Sequence, residues 1–197
     1  MTKTEARKLA KACRAAVDLH TVGHAMAGVL FALPAWQYAD TVLAFASMPD
    51  EPDTADILRQ ALAEGKRLLL PRVLSRTEMD WVEITALSQL QPGAYGILEA
   101  PASLPAFDTA HLGDGALALI PCLAASPDGV RLGRGGGYYD RFLAHYKGKR
   151  LLVCPTAALL GDLPCEGWDV RFSPHEILTE KGIPVSYTHL TLPTILR

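Results

Sequence analysis

Thr41–Ser47, TVLAFAS, is the stretch on which the fold turns: it is short, apolar and rich in strand formers, and it ends at the turn-forming Met48–Asp53, MPDEPD. Such a run reads as a strand buried on both faces, with a loop at its carboxyl end. Downstream, Thr54 is placed to cap a helix over Ala55–Glu64, Gly65 closes it, and Arg67–Leu70 gives a second apolar strand stopped by Pro71. Together these pieces make a β–α–β unit. Farther along, the alternation of Met79, Trp81, Val82 and Ile84 predicts a strand, and Gln91–Pro101, QPGAYGILEAP, reads as loop. Ala116–Ile120 is the next buried strand and runs into Pro121. A helix over Tyr138–His145, a strand at Arg150–Cys154 and a last strand near Ile177 follow. Upstream, Lys3 to Leu33 is free of proline, with Leu9, Cys13, Val17, Met26, Val29 and Leu30 on one apolar face, which predicts a long amphipathic helix broken near Gly23. Strands alternating with helices place the chain in the α/β class: a single-domain, three-layer fold over residues 1–184, its mainly parallel sheet covered by helices on both faces through right-handed crossovers.

Bulk composition narrows the function. Hydrophobic residues make up 49% and charged residues 20% of 197, which is the balance of an ordered globular chain rather than a disordered one. A net charge of −2 gives no general basic field for nucleic acid or an anionic membrane, so an anion site must be local. Cys13, Cys122, Cys154 and Cys165 stand far apart without a CxxC pair, which matches neither a zinc site nor a dense disulfide framework and suits the reducing cytoplasm. No apolar run reaches the length needed to span a bilayer.

The chemistry concentrates at Gly133–Gly137, GRGGG, which lies between the loop leaving a buried strand and a predicted helix. Glycine lets the backbone approach a phosphate closely and turn successive N–H groups toward it, and a helix N-terminus adds partial positive charge. Arg131, Arg134 and Arg141 add full charges. A bare glycine run is also the sequence of a flexible surface turn, and local physics leaves both readings open. The segment is neither a Walker A loop nor a G-x-G-x-x-G fingerprint. His20 and His24 lack the Glu and third ligand of a metalloprotease helix, and Ser126 lacks a nucleophile elbow.

Leu132–Leu143, LGRGGGYYDRFL, closely resembles the signature of the 5-formyltetrahydrofolate cyclo-ligase, or methenyltetrahydrofolate synthetase, family. Four further pieces match in order. Lys3 and Arg7 fit its K-x-x-x-R pattern, Ser47–Thr54 its S-x-x-x-E-x-x-T segment, Gly65–Val73 its G-K-x-x-x-x-P-R strand and Leu163–Asp169 its L-P-x-E-x-x-D turn, so the resemblance is collinear over Lys3–Glu180. It implies ATP and Mg²⁺ as cofactors and 5-formyltetrahydrofolate, possibly polyglutamylated, as substrate. Lys3 and Arg7 would contact ATP phosphates. Arg131, Leu132, Gly133, Arg134, Gly135, Gly136, Gly137, Tyr138 and Tyr139 would wrap the nucleotide, with Arg134 and Lys3 supplying catalytic charge. Asp140 and Asp169 would hold Mg²⁺, while Glu51, Ala46 and Tyr95 would meet the folate.

The implied reaction moves the γ-phosphoryl of ATP to the formyl oxygen, after which N10 attacks the activated carbon and phosphate leaves to give 5,10-methenyltetrahydrofolate. It needs alignment and positive charge rather than a protein nucleophile. Ala125 and Ser126 stand where the family has an aromatic residue and an aspartate, Ala158 replaces a glutamine and Trp168 a histidine. These departures motivate an alternative, a paralogue that binds nucleotide or folate without turnover. A sugar-phosphate or coenzyme A enzyme on a similar sheet is a third reading, because fold alone does not fix function. Val185–Arg197, VSYTHLTLPTILR, reads as a sequencing adapter translated in frame and is set aside as a non-native tail.

Overall fold

In the computed structural model the chain runs α1 (Lys3–Ala15), α2 (Leu19–Ala32), α3 (Pro34–Gln37), β1 (Thr41–Leu43), α4 (Ala55–Ala63), β2 (Arg67–Val73) and β3 (Met79–Ile84). A small hairpin, β4 (Gln91–Pro92) and β5 (Leu98–Glu99), precedes β6 (Ala116–Pro121). A second hairpin, β7 (Ala124–Ala125) and β8 (Arg131–Leu132), leads into α5 (Tyr138–His145), β9 (Lys149–Val153) and β10 (Ile177–Leu178). Residues 1–93 and 97–184 are described. Tyr95 and the segment from Val185 onward lie outside them.

Six strands form one sheet in the order β10-β9-β6-β1-β2-β3, parallel except where β3 returns antiparallel to β2. The apolar run at β1 sits in its middle, Thr41 pairing with Arg67 on one side and Ala116 on the other. Period-two alternation then sorts side chains onto two faces. Leu43, Leu69 and Ala118 join α1 and α5 in one core cluster, and Val42, Leu68 and Leu117 join α2, α3 and α4 in the other. The predicted three-layer α/β architecture is therefore the observed one.

Several local expectations are corrected. The N-terminal helix is two helices that bend by 90° at Ala16–Asp18 rather than near Gly23. A Thr2/Glu5 capping box starts α1 and the Asp18 side chain starts α2. Gly23 lies inside α2, where a Cβ would come 2.2 Å from the Asp53 carbonyl oxygen, so its absence lets the helix press against that loop. The buried residues of α1 are Ala6, Ala10 and Arg14, whereas Leu9 is 44% exposed, which overturns the apolar face drawn through Leu9. Thr54 does not cap α4 with its side chain: Asp53 accepts the Ala55 N–H at 2.8 Å, and the Thr54 hydroxyl donates to the Phe45 carbonyl at 2.6 Å.

Strand β2 also continues through Pro71, opposite Trp81. Ala44 N–H donates to the Leu69 carbonyl, so residues of that parity turn their backbone groups toward β1, and β1 has ended by the level of Pro71. The missing proline N–H leaves no ladder bond unmade. Among the described residues no single helix is long and apolar enough to cross a membrane.

Candidate active site

Strands β1 and β6 end side by side, and the chain leaving each of them walls a cleft of about 470 Å³. Phe45, Ala46, Met48 and Glu51 come from the β1 exit, Pro71 and Val73 from β2, and Pro121 to Leu123 from the β6 exit. Gly133 to Asp140 close the far side. The carboxyl ends of parallel strands are where open α/β sheets bind ligands.

The glycine loop is built to present donors. Gly137 is the N-cap of α5 at φ +69°, and Gly135 sits at φ +100°, a backbone region in which side chains are strained. A Cβ on Gly137 would also lie 2.7 Å from Arg141 Nη1. The loop's carbonyls are drawn away by arginines: Arg7 Nε donates to Gly133 at 3.1 Å and Arg141 Nη2 to Gly136 at 2.7 Å. No backbone hydrogen bond among the described residues is donated by the N–H groups of Arg134 to Gly137. Those donors, at the start of an eight-residue helix, are free to take an anion.

Two arginines carry charge into this cradle. The Arg131 side chain, 5% exposed, pairs with Asp140 at 2.7 Å and donates to the Pro121 carbonyl at 3.3 Å, while its Nε is buried and has no partner among the described residues. Arg134 forks onto Asp50 at 2.5 and 3.1 Å and reaches Glu51 Oε1 at 3.0 Å. That guanidinium holds the Asp50 carboxyl below its ordinary range. Glu51, 7% exposed, accepts the Met48 N–H at 3.0 Å with its other oxygen.

Lys3 lies beyond the cleft lining, against the Leu163–Asp169 turn. Its ammonium meets Glu166 at 2.6 Å and Asp169 at 2.9 Å. Burial works against both charges, yet their hydrogen bonds prevail, leaving the Lys3 pKa raised and the Asp169 pKa lowered. Leu132 packs in the core, not on the cleft wall. Asp140 and Asp169 are thus tied to different cations. Asp140 lines the cleft with Oδ2 bearing no hydrogen bond among the described residues, which fits one carboxylate ligand of a Mg²⁺ completed by phosphate and water. Asp169 has both oxygens engaged, by Lys3 and by the Glu166 N–H at 2.7 Å. Among the described residues no cluster of three or more His, Cys, Asp or Glu could hold a metal alone.

Sequence reasoning missed Asp50 and Arg14. The first stands next to Glu51, and two adjacent acids in a strand-exit loop were the available signal. Arg14 was hidden by the apolar face assigned to its helix, although Lys3, Arg7 and Arg14 fall on one stripe at 3.6 residues per turn. The departures from the family pattern resolve differently. Ala125, Ser126 and Ala158 are fully buried and none lines the cleft. Ser126 closes the β7–β8 turn, its Oγ accepting the Val130 N–H at 3.1 Å, and the Ala125 carbonyl accepts the Leu160 N–H at 2.8 Å.

Known proteins share this fold. The chain is similar to the 5-formyltetrahydrofolate cyclo-ligases of Mycolicibacterium smegmatis, at 30% identity over 73% of this chain and 75% of that one, and Escherichia coli K12, at 30% over 76% and 84%. The solved 5,10-methenyltetrahydrofolate synthetase of Aquifex aeolicus superposes with a TM-score of 0.79 at 25% identity, covering 98% of this chain and 96% of that one. The family model described as the 5-formyltetrahydrofolate cyclo-ligase family matches residues 2–180. With glycine loop, flanking cations and strand-exit cleft assembled in one place, the chain belongs to the 5-formyltetrahydrofolate cyclo-ligase family.

Proposed function

We propose that the protein converts 5-formyltetrahydrofolate to 5,10-methenyltetrahydrofolate with ATP consumed to ADP and phosphate. The observation that carries this reading is the place of Arg134. It leaves the phosphate-type glycine loop and ends on Glu51, at the edge of the apolar half of the cleft formed by Phe45, Leu70, Pro71 and Met79. A reduced pterin suits that half, with the Glu51 carboxylate to accept N–H groups of its planar pyrimidine ring, and the nucleotide suits the other. Phosphoryl transfer would then occur where the two halves meet, beside the Arg134 guanidinium, whose fork is held by Asp50 and Glu51 and whose charge faces that junction.

The contacts of the remaining residues support a role for each. The N–H groups of Arg134 to Gly137 bind and orient phosphate oxygens, the Arg131 guanidinium adds charge behind them, Arg7 holds the loop at Gly133, and Lys3 adds charge from the outer side. Tyr138 and Tyr139 wall the nucleotide side of the cleft. Mg²⁺ held at Asp140 would supply neutralising charge to the phosphates. Ala46 lies against the pterin side, and Tyr95 is assigned there by resemblance alone. The cytosol, where the unbridged Cys13, Cys122, Cys154 and Cys165 stay reduced, is the compartment this reading assumes. Purified protein given 5-formyltetrahydrofolate, ATP and Mg²⁺ should gain the absorbance of the methenyl product with matching ADP. Nucleotide binding without that gain would replace this reading with the non-turnover paralogue.

A further inference from the structure

Arg14 has no part in the reaction as described, yet it is 1% exposed and carries an obligatory charge. Its Nε donates to the Leu123 carbonyl at 2.7 Å, Nη1 to the Asp50 carbonyl at 2.6 Å and Nη2 to the Cys122 carbonyl. These acceptors belong to the two chain segments that leave β1 and β6 and wall the cleft. One rigid fork in the layer beneath therefore fixes the gap between both walls. Asp50, gripped by its backbone, uses its side chain to fork Arg134. The grip passes from α1 through Asp50 to the guanidinium placed where the two halves of the cleft meet.

A matched apolar residue would fill the same volume without the cost of burying a cation. Three carbonyls aimed at one planar group instead specify a geometry. We propose that Arg14 is a positioning residue that sets the spacing of the Asp50–Glu51 and Cys122–Leu123 walls and, through Asp50, the placement of Arg134. The catalytic part of the claim rests on the cyclo-ligase reading; the structural part does not.

The test uses the full chain with Arg14→Met, which keeps length and removes the fork, and Arg14→Lys, which keeps charge and loses the fork. Three quantities are read: ADP affinity by calorimetry, steady-state kcat and KM for 5-formyltetrahydrofolate, and amide exchange over residues 47–54. ADP affinity should hold, because Lys3, Arg7 and the glycine loop remain. Displaced reacting groups should lower kcat by about 10²-fold, a misplacement effect of the usual size. Exchange at 47–54 should quicken while the central strands keep their protection. Arg14→Lys should reproduce the kcat loss in a folded protein even where Arg14→Met does not fold. Wild-type kcat and wild-type exchange at 47–54 in Arg14→Lys would overturn the proposal, as would a fall in ADP affinity in step with kcat. If wild-type protein forms no methenyl product, the function reading fails, and the exchange measurement alone still decides whether Arg14 holds the walls.

Discussion

Replacing Arg134 by alanine separates catalysis from folding, because the side chain's contacts are only partly buried. Its fork with Asp50 joins groups 34% and 38% exposed, so the pair contributes about 0.2–1 kcal/mol to stability. Glu51 is the larger concern: it is buried and would keep the Met48 N–H but lose its cation, at a cost of about 1–2 kcal/mol. The sum, roughly 1–3 kcal/mol, leaves a domain of ordinary stability folded at 25 °C. Turnover should suffer more. A preorganised donor aimed at charge developing in the transition state contributes about 10²–10³-fold, and an arginine on a transferred phosphoryl group about 10³–10⁵-fold. The assay is methenyl product formation at saturating ATP and Mg²⁺, with a urea unfolding curve on the same preparation. Arg134→Lys should recover part of the rate, since it restores charge without the fork. A folded Arg134→Ala protein with the wild-type rate would refute the placement of phosphoryl transfer under this residue.

Three other perturbations follow from named contacts. Asp140→Asn keeps an acceptor for Arg131 but removes the carboxylate offered to Mg²⁺, so the Mg²⁺ concentration for half-maximal rate should rise by on the order of tenfold; an unchanged Mg²⁺ titration removes Asp140 from the metal site. Asp50 is held below its ordinary pKa by Arg134, so its contribution is complete above the unfolded value near pH ~4 and is lost as pH falls through the lowered folded value. Urea midpoints from neutral to acid pH should therefore decline less steeply in Asp50→Asn, and parallel curves would deny the effect. Gly23→Ala puts a methyl 2.2 Å from the Asp53 carbonyl oxygen and should cost ~1–3 kcal/mol, while Gly28→Ala in the same helix has open space and should gain about 0.5–1 kcal/mol, both read as shifts in the unfolding midpoint.

The sheet was legible because its strands are buried on both faces, and such strands announce themselves as unbroken apolar runs. Thr41, Arg67 and Ala116 begin three adjacent parallel strands at the positions their runs indicate. Pro71 misled because proline stops a strand only where its N–H would have bonded, and that depends on where the neighbouring strand ends. The β7–β8 hairpin is two residues per strand, too short for alternation to register. For the site, residue types and spacing located the glycine loop, but pairing is a property of three dimensions. That Asp140 belongs with Arg131 and Asp169 with Lys3 follows from how α1 and the Leu163–Asp169 turn pack, and no spacing encodes it. The same holds for Ala125, Ser126 and Ala158, which look like losses from the folate side in sequence and lie behind the cleft in space.

The helix α1 shows how docking and, in the proposed function, ligand recognition share residues. Its core-facing stripe offers two alanines, Ala6 and Ala10, whose methyl groups bury little apolar area. What ties the helix to the sheet is a column of cations one above the other: Lys3 on Glu166 and Asp169, Arg7 on the Gly133 carbonyl, Arg14 on the carbonyls of Asp50, Cys122 and Leu123. The partly exposed Lys3 pairs contribute about 0.2–1 kcal/mol each, and the buried Arg14 bonds offset the cost of enclosing its charge, so these contacts fix where the helix lies more than they stabilise it. Small residues on that stripe let the backbone lie close, and closeness lets these long side chains reach the strand exits. A cation already held by the protein loses little further side-chain freedom when a phosphate arrives. An N-terminal helix that pattern reading treats as amphipathic packing is thus a scaffold for positive charge, and the order Lys3, Arg7, Arg14 along it runs from the outer rim of the site to the layer beneath its walls.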